Sequence, residues 1–318
     1  MEGAALSLQE TFFAVLAALV VLFAMATYLG TWLAGRAHDA VKLAWIGQMN
    51  SRIRAAWAIV FLFAVAFVVG GGALLVLFAV ASFFALRDFI ALTPTRASDH
   101  AALVLAFYVV IPVQYVLVAA DWYAMYAVFI PVYVFLVLPV VMALRQDTEH
   151  YLVRIAKVQW GLMICVYCVS HAPAIVTLEL PGFEGRGALL LLYFLLVVQM
   201  ADLLAVIASA AIGRTPLKSN PNKSREGVLA GGAGAVLLGT ALFWMTPFSW
   251  WQAALMSLAI VVAGFMGGLV LTSVERSLGA RVWAEDGELL TRGMLQRLDA
   301  LTFAAPVFFH LALYFFAA

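Results

Sequence analysis

The chain has 318 residues, of which 66% are hydrophobic and 11% are charged, with a mean hydropathy of +1.04 and a formal net charge of +1. Soluble domains are about 45–50% apolar and about 25% charged. A surplus of this size cannot be buried in a soluble core, so the composition excludes an ordinary soluble domain and indicates a membrane protein. The near-zero net charge gives no indication of a nucleic-acid partner.

Apolar runs of about 20 residues, the length that crosses a bilayer as a helix, recur along the whole chain. We therefore predict an all-α, polytopic membrane protein that forms one membrane domain over residues 1–318. Gly70, Gly71 and Gly72 mark the break between the second and third spans. The ten predicted spans are 11–34, 55–69, 71–87, 101–120, 122–144, 158–178, 187–210, 228–247, 251–273 and 300–317.

The basic residues test this segmentation, because cytoplasmic loops of membrane proteins are rich in Lys and Arg. With ten spans, 17 of the 18 Lys and Arg fall in alternate loops, and Arg186 is the exception. Merging 55–69 with 71–87 would place the first basic loop on the opposite side from the others. The pattern predicts a multi-pass protein of the cytoplasmic (inner) membrane, with both termini outside.

The loop 213–227 concentrates basic residues, small hydroxyls and glycine directly before a new helix, with Lys223, Ser224 and Arg225 at its end. A helix N-terminus offers free N–H groups and a positive dipole end to an anion. The loop is therefore either a phosphate-binding segment or a topogenic basic loop that rests on lipid headgroups.

Asp202 lies within the seventh predicted span, and a carboxylate at membrane depth is a candidate functional group. The alternative is a packing role, with an arginine or His171 as its partner. The last predicted inside loop, 275–299, carries four arginines and five acids, and such a run is usually a solvated cluster of compensating charges.

Other polar positions in the spans favour packing. Cys165 and Cys168 form a CxxC pair without a second Cys/His pair, so we expect packing rather than redox or metal chemistry. His171 and His310 are expected to be hydrogen-bonded packing residues. The spacing of Gly264 and Gly268 is typical of a close helix contact.

These residues together resemble the bacterial phosphatidate cytidylyltransferases, also called CDP-diglyceride synthetases, over most of the chain. The segments that carry the resemblance are Arg87-Asp88-Phe89, Leu92-Thr93-Pro94-Thr95-Arg96, Asp99-His100, Trp160-Gly161-Leu162-Met163, Ser170-His171-Ala172-Pro173, Gly182-Phe183-Glu184, Asp202, Pro221-Asn222-Lys223-Ser224, Glu226-Gly227 and Arg297-Leu298-Asp299. It implies that 1–180 supply N-terminal helices and that 181–318 form the catalytic region.

The resemblance also implies a reaction and its residues. CTP and phosphatidic acid would give CDP-diacylglycerol and pyrophosphate, with Mg²⁺ as cofactor, within a membrane of lipids and in a chain that could form a homodimer. Asp202, Lys223 and Asp299 match the catalytic positions, and Asp202 and Asp299 are the expected metal ligands. The expected phosphate-binding residues are Asn222, Ser224, Arg225, Arg276 and Arg297.

The chain departs from the family pattern in its last signature. Four positions where the family has acids are occupied by Gly268, Ser277, Val282 and Gln296. Mg²⁺ prefers hard oxygen ligands in octahedral order, so these losses weaken the expected metal site unless Glu285, Asp286 or Glu288 replaces them. Two hypotheses stay open: a working enzyme with a rearranged metal site, and a catalytically silent homologue that binds phospholipid or nucleotide or serves a partner in lipid synthesis. A transporter is disfavoured, because few polar residues besides Asp202 lie in the spans.

Overall fold

The computed structural model describes residues 70–93, 95–217, 223–278 and 293–317, together with separate helical positions between 14 and 69. The predicted spans 11–34 and 55–69 therefore lie largely outside the described residues, as do Asn222, Val282, Glu285, Asp286 and Glu288. The chain divides into two compact units, Met1–Leu74 and Leu75–Ala318.

In the first unit the described positions before Gly70 are helical. The indole Nε1 of Trp57 donates to the Thr27 hydroxyl at 3.2 Å. Gly70 adopts φ +118°, a backbone conformation that glycine reaches without strain, and it separates the helical positions 68–69 from the helix that begins at Gly71. The break predicted at these glycines is thus present.

The described chain from Gly71 onward is almost entirely helical, and seven of its helices are long and apolar enough to cross a membrane. Those seven are α1 (Gly71–Ala91), α2 (Ala97–Ala119), α3 (Tyr123–Ala143), α4 (Tyr151–Thr177), α5 (Gly187–Ile212), α7 (Trp250–Ser277) and α9 (Asp299–Phe316). The other two are α6 (Arg225–Ala241) and the short α8 (Met294–Arg297). The all-α prediction is confirmed for the described residues.

The predicted span 228–247 needs correction at its C-terminal end. Helix α6 has 17 residues, and a separate 3₁₀ turn, Phe243–Met245, follows it. Five glycines between 227 and 239 keep this helix thin, so it packs closely against its neighbours.

Close glycine contacts bring α5, α6, α7 and α9 together. A Cβ on Gly227 or Gly231 would collide with Ser209 or Ala205 of α5, so α6 can approach α5 only with glycine there. On α7, a Cβ at Gly267 would lie 2.9 Å from the Asp299 carbonyl oxygen, and one at Gly264 would lie 3.3 Å from that of Ala300. The predicted close contact at Gly264 therefore exists, with Gly267 making the tighter approach to α9.

Three of the basic loops meet at one end of the second unit. Arg96, before α2, pairs with Glu149, between α3 and α4, at 2.5 Å. The buried Arg154 guanidinium donates to Asp99 at 2.8 Å and to the Glu149 carbonyl at 2.9 Å. Asp88, near the end of α1, accepts the Met294 N–H at 2.7 Å. These contacts tie alternate loops of the chain to one face.

The two cysteines and the histidines His171 and His310 lie within α4 and α9. Cys165 is buried and Cys168 half-buried, and both thiols are free. The Nδ1 atoms of His171 and His310 each contact a backbone carbonyl four residues earlier, at 2.8 and 2.7 Å. The packing role that we expected for the histidines accounts for these atoms, although His171 Nε2 finds no hydrogen-bond partner among the described protein atoms.

Candidate active site

The junction between α5 and α6 is organised by hydrogen bonds within the loop. The Glu226 carboxylate accepts the backbone N–H groups of Arg214 and Thr215, both at 3.1 Å, and the Thr215 hydroxyl at 2.8 Å. Its own backbone N–H and these donors lower the pKa of Glu226 to about 2. The carboxylate therefore stays ionised and fastens the start of the loop to the first turn of α6.

Ser224 begins α6 as its N-cap. Its hydroxyl accepts the Gly227 N–H at 2.9 Å, and its own N–H donates to the Ser209 hydroxyl of α5 at 2.8 Å. Ser224 is buried, whereas Arg225 is exposed. Of these two predicted phosphate-binding residues, Ser224 therefore has a structural role as a cap, and Arg225 lies where a soluble anion can reach it.

The residues Asp202 and Lys223 meet across this junction. The Lys223 ammonium contacts the Asp202 carboxylate at 2.5 Å, and their side chains are 18% and 34% exposed. The sequence suggested an arginine or His171 as the packing partner of Asp202, and the structure shows Lys223 as a partner. The pair is partly exposed, so a ligand phosphate can compete with the carboxylate for the lysine.

A narrow pocket of about 50 Å³ opens beside this ion pair. Asp202 and Lys223 form its polar wall, and Phe265 of α7 and Ala300 of α9 belong to its lining. The rest of the lining is apolar and comes from Val198, Ala201, Ala205, Val228, Gly232, Ile260, Val261 and Gly264. The pocket therefore places a lysine beside apolar walls, and the first turn of α9 reaches it.

Asp299 lies at the start of α9, opposite one of the replaced acids. Its Oδ1 accepts the Ala300 N–H at 2.7 Å. A Cβ built on Gly268 would lie 3.7 Å from Asp299 Oδ2, which is ordinary van der Waals contact. An aspartate at position 268 would thus stand beside Asp299, and glycine leaves that second carboxylate out.

Two further acids, Glu275 and Asp88, lie near this segment. Glu275 is only 3% exposed, and it shares a hydrogen bond with Gln296. The Gln296 amide oxygen is buried without a partner among the described protein atoms. Asp88 bonds Met294, as described above. The signal for Asp88 was its place in the Arg87-Asp88 segment, whereas nothing in the sequence separated Glu275 from its charged neighbours.

Arg276 and Arg297, the other predicted phosphate-binding residues, are both exposed. Each flanks the α7–α9 junction, one at the end of α7 and the other at the end of α8. Asn222 lies outside the described residues. The site thus has a lysine in its pocket and arginines on its exposed surface.

The described residues do not fit a metal cage held by the protein. Among them, no three His, Cys, Asp or Glu side chains are grouped closely enough to bind a metal ion. Asp202 is engaged by Lys223, and Gly268 supplies no carboxylate beside Asp299. The expected ligation of Mg²⁺ by Asp202 and Asp299 stays a prediction.

The model of the Cytidylyltransferase family matches residues 50–315. YnbB of Escherichia coli strain K12, an uncharacterized protein, is 30% identical over 305 residues, which cover 94% of this chain and 97% of YnbB.

Phosphatidate cytidylyltransferases match over shorter stretches. The enzyme of Helicobacter pylori strain 26695 is 27% identical over 196 residues, 58% of this chain and 72% of that protein. The Synechocystis enzyme is 31% identical over 115 residues, 35% of this chain and 38% of its own length.

Proposed function

Because the chain belongs to the cytidylyltransferase family, we propose that it transfers a cytidylyl group from CTP to phosphatidic acid, giving CDP-diacylglycerol and pyrophosphate. The observation that carries this proposal is the Lys223–Asp202 pair, at 2.5 Å, in the wall of an apolar pocket that ends at the N-terminal turn of α9. A phospholipid substrate needs this combination of a cation for its phosphate and apolar walls for its chain.

The chemistry of the reaction assigns roles to these groups. An oxygen of the phosphatidic acid phosphate attacks the α-phosphorus of CTP, the bond from that phosphorus to the bridging oxygen of the β-phosphate breaks, and pyrophosphate leaves with the electron pair. Two anions must approach each other, so positive charge fixed in advance lowers the barrier. Lys223 supplies it at the pocket, and Arg225, Arg276 and Arg297 supply it on the approach.

In this proposal Asp202 and Asp299 have different tasks. Asp202 holds the Lys223 ammonium at the pocket wall in the absence of substrate and releases it to the phosphate. Asp299 carries negative charge at the N-terminus of α9, where it contacts the Ala300 N–H.

The proposed setting follows from the charge pattern. The protein has ten spans with both termini outside, and its basic loops face the cytoplasm, where CTP is found. Its membrane is the cytoplasmic one, and a homodimer is compatible with this arrangement. The contacts of Arg96 with Glu149 and of Asp88 with Met294 support a common face for alternate loops.

A catalytically silent homologue is the second candidate. The replacement of the acid beside Asp299 by Gly268 favours it, as does the lack of a grouped acid set among the described residues. Such a protein would bind the same nucleotide or phospholipid at Lys223 without forming product, or would serve a partner in lipid synthesis.

One assay separates the two candidates. Protein purified in detergent is incubated with Mg²⁺, labelled CTP and phosphatidic acid, and CDP-diacylglycerol is measured beside an active family member. We expect product that is lost with Lys223→Ala and retained with Lys157→Ala, a change to a lysine of α4 that is outside the site. No product above background, with phosphatidic acid still bound, would establish the silent homologue instead.

A further inference from the structure

Asp88, near the end of α1, divides its carboxylate between two partners. Its Oδ1 accepts a hydrogen bond from the Arg87 guanidinium at 3.1 Å, and its Oδ2 accepts one from the Met294 backbone N–H at 2.7 Å. The first contact stays within α1 and is solvated, because the Arg87 side chain is 61% exposed. The second contact joins α1 to α8. The two oxygens therefore have separate tasks, and only Oδ2 holds the segment that leads into α9.

The contact with α8 also depends on Gly293. A Cβ on Gly293 would lie 2.5 Å from Asp88 Oδ2 and 3.1 Å from Asp88 Cγ, so a side chain there would push the carboxylate away from Met294. The φ of Gly293 is −67°, which residues with a side chain also adopt. Glycine is therefore required for the space that it leaves, and the hydrogen bond from Met294 forms only because that space is empty.

The α1 side of this contact is fixed by packing against α4. Leu86 and Phe89, which flank the turn that carries Asp88, are 0% and 1% exposed. A Cβ on Gly161 of α4 would lie 2.9 Å from Phe89 Cδ1 and 3.0 Å from Leu86 Cδ1. The two helices thus meet closely at this turn, and the Asp88 carboxylate is presented from a position that the packing holds.

The α8 side of the contact leads directly to Asp299. Leu298 is both the last cap of α8 and the residue before α9, so a single residue joins the two helices. The Leu298 N–H donates to the Leu295 carbonyl at 3.2 Å, and the Thr302 N–H donates to the Leu298 carbonyl at 2.9 Å. Leu295 is 2% exposed and anchors α8 from below. A short hydrogen-bonded path therefore connects the Asp88 contact with the start of α9.

We propose that Asp88 is a positioning residue for cytidylyl transfer, because its carboxylate holds α8 at Met294 and so sets the place of Asp299. This inference rests on the proposed function. Asp88 does not belong to the lining of the pocket beside Lys223, so its effect on the reaction is indirect. The group that it places is Asp299, through the segment that begins at Met294.

The first measurement is the initial rate of CDP-diacylglycerol formation by the full chain in detergent. Asp88→Ala should lower kcat about tenfold, within the range expected when a reacting group leaves its productive place. Arg87→Ala is the matched control, because it removes the partner of Oδ1 and leaves the contact with Met294, and its rate should equal that of the wild type. Asp88→Asn keeps an oxygen for the Met294 N–H and should recover most of the rate.

Combined variants separate positioning from a general loss of folded protein. Asp88→Ala added to Asp299→Ala should lower the rate no further, because both changes act on the same group. A purely structural defect would instead multiply with Asp299→Ala and give about a 100-fold loss in the double variant. Gly293→Ala should reproduce the effect of Asp88→Ala, and the two changes together should be no worse than either alone.

Hydrogen exchange measures the contact without using activity. Asp88→Ala should speed the exchange of the Met294 amide, whereas Arg87→Ala should leave that exchange as it is in the wild type. Equal exchange in these two variants would overturn the proposal, whether or not the wild type is active. If Asp88→Ala does not fold, Gly293→Ala takes its place in both measurements.

Two rate results would also overturn the proposal. One is an equal rate for Asp88→Ala and Arg87→Ala in a protein that forms product, and the other is a multiplied loss in the double variant with Asp299→Ala. A wild type that forms no product would overturn the proposed function itself, and that result is seen without any variant. The two failures are therefore distinguishable.

Discussion

At the α5–α6 junction, Glu226, Ser224 and Lys223 are all bonded to groups of the same junction. At the α7–α9 junction the Gln296 amide oxygen has no described partner, and position 268, beside Asp299, holds a glycine. The two halves of the proposed site therefore differ in how many of their expected groups and contacts are present. The half that presents a cation to phosphate is built in detail, and the half that would gather acids is reduced.

The largest expected effect is on enzymatic activity, and it compares Lys223 of the first junction with Asp299 of the second. Lys223→Ala should lower CDP-diacylglycerol formation about 100-fold or more, the usual effect of removing one preorganised charge contact to a transition state. Asp299→Ala should lower it about tenfold only, because Gly268 supplies no second carboxylate at its position. The initial rates of both variants are compared with those of the wild type and of Lys157→Ala. A larger loss with Asp299→Ala than with Lys223→Ala would reverse the comparison.

The close packing of α6 against α5 provides a stability test. Gly231→Ala should destabilise the protein by roughly 1–3 kcal/mol, because the new methyl group would collide with the backbone at Ala205. The measurement is denaturant or thermal unfolding in detergent. Gly72→Ala, where a Cβ meets nothing within 4 Å, is the control and should be neutral or slightly stabilising. Equal stability of the two variants would show that α5 and α6 do not approach as closely as described.

Restoring an acid tests the second junction. Gly268→Asp should raise the affinity for Mg²⁺ about tenfold, corresponding to about 1.4 kcal/mol, because the new carboxylate would stand beside Asp299. Isothermal titration with Mg²⁺ measures this change directly. Gly268→Asn has the same size without the charge, and an equal gain with asparagine would contradict the explanation.

The smallest effect concerns pH. The folded-state pKa of Glu226 is about 2, below its unfolded value of about 4.3, so the carboxylate stabilises the fold at neutral pH. That contribution is lost as pH falls from about 4.3 toward 2. Glu226→Gln should therefore lower the unfolding temperature at pH 7 and flatten its dependence on pH below 5. An unchanged acid limb in the variant would show that Glu226 does not fasten the loop.

Much of the fold was predictable because apolar length and the distribution of basic residues follow directly from the energetics of the bilayer. The predicted spans 71–87, 101–120 and 187–210 each correspond to a described helix. The early end of α6 at Ala241 was not predictable, because the 3₁₀ turn that follows, Phe243–Met245, is as apolar as the helix and hydropathy does not separate the two. Sequence also located the loop 213–227, since charge and hydroxyls concentrate there.

The pairing within the site was less accessible. Asp202 and Lys223 are 21 positions apart on different elements, and only the crossing of α5 and α6 brings them together. The burial of Glu275 was not predictable for a similar reason. It depends on contacts with α9 and Gln296, which are distant in sequence and leave no local pattern. The two histidines were correctly expected to be bonded to the fold, but sequence gave no sign that His171 keeps one nitrogen unpartnered.

The hydrogen bond from Met294 to Asp88 joins residues 206 positions apart. Because a chain enters the membrane from its N-terminus, α1 is inserted long before residue 294 leaves the ribosome. The Asp88 oxygen that accepts the Met294 N–H therefore gains this donor only near the end of synthesis. Completion of the face that carries Asp299 is therefore one of the last events in biogenesis, and truncation before residue 293 should yield an inserted protein that keeps its N-terminal helices but lacks the contact between Asp88 and Met294.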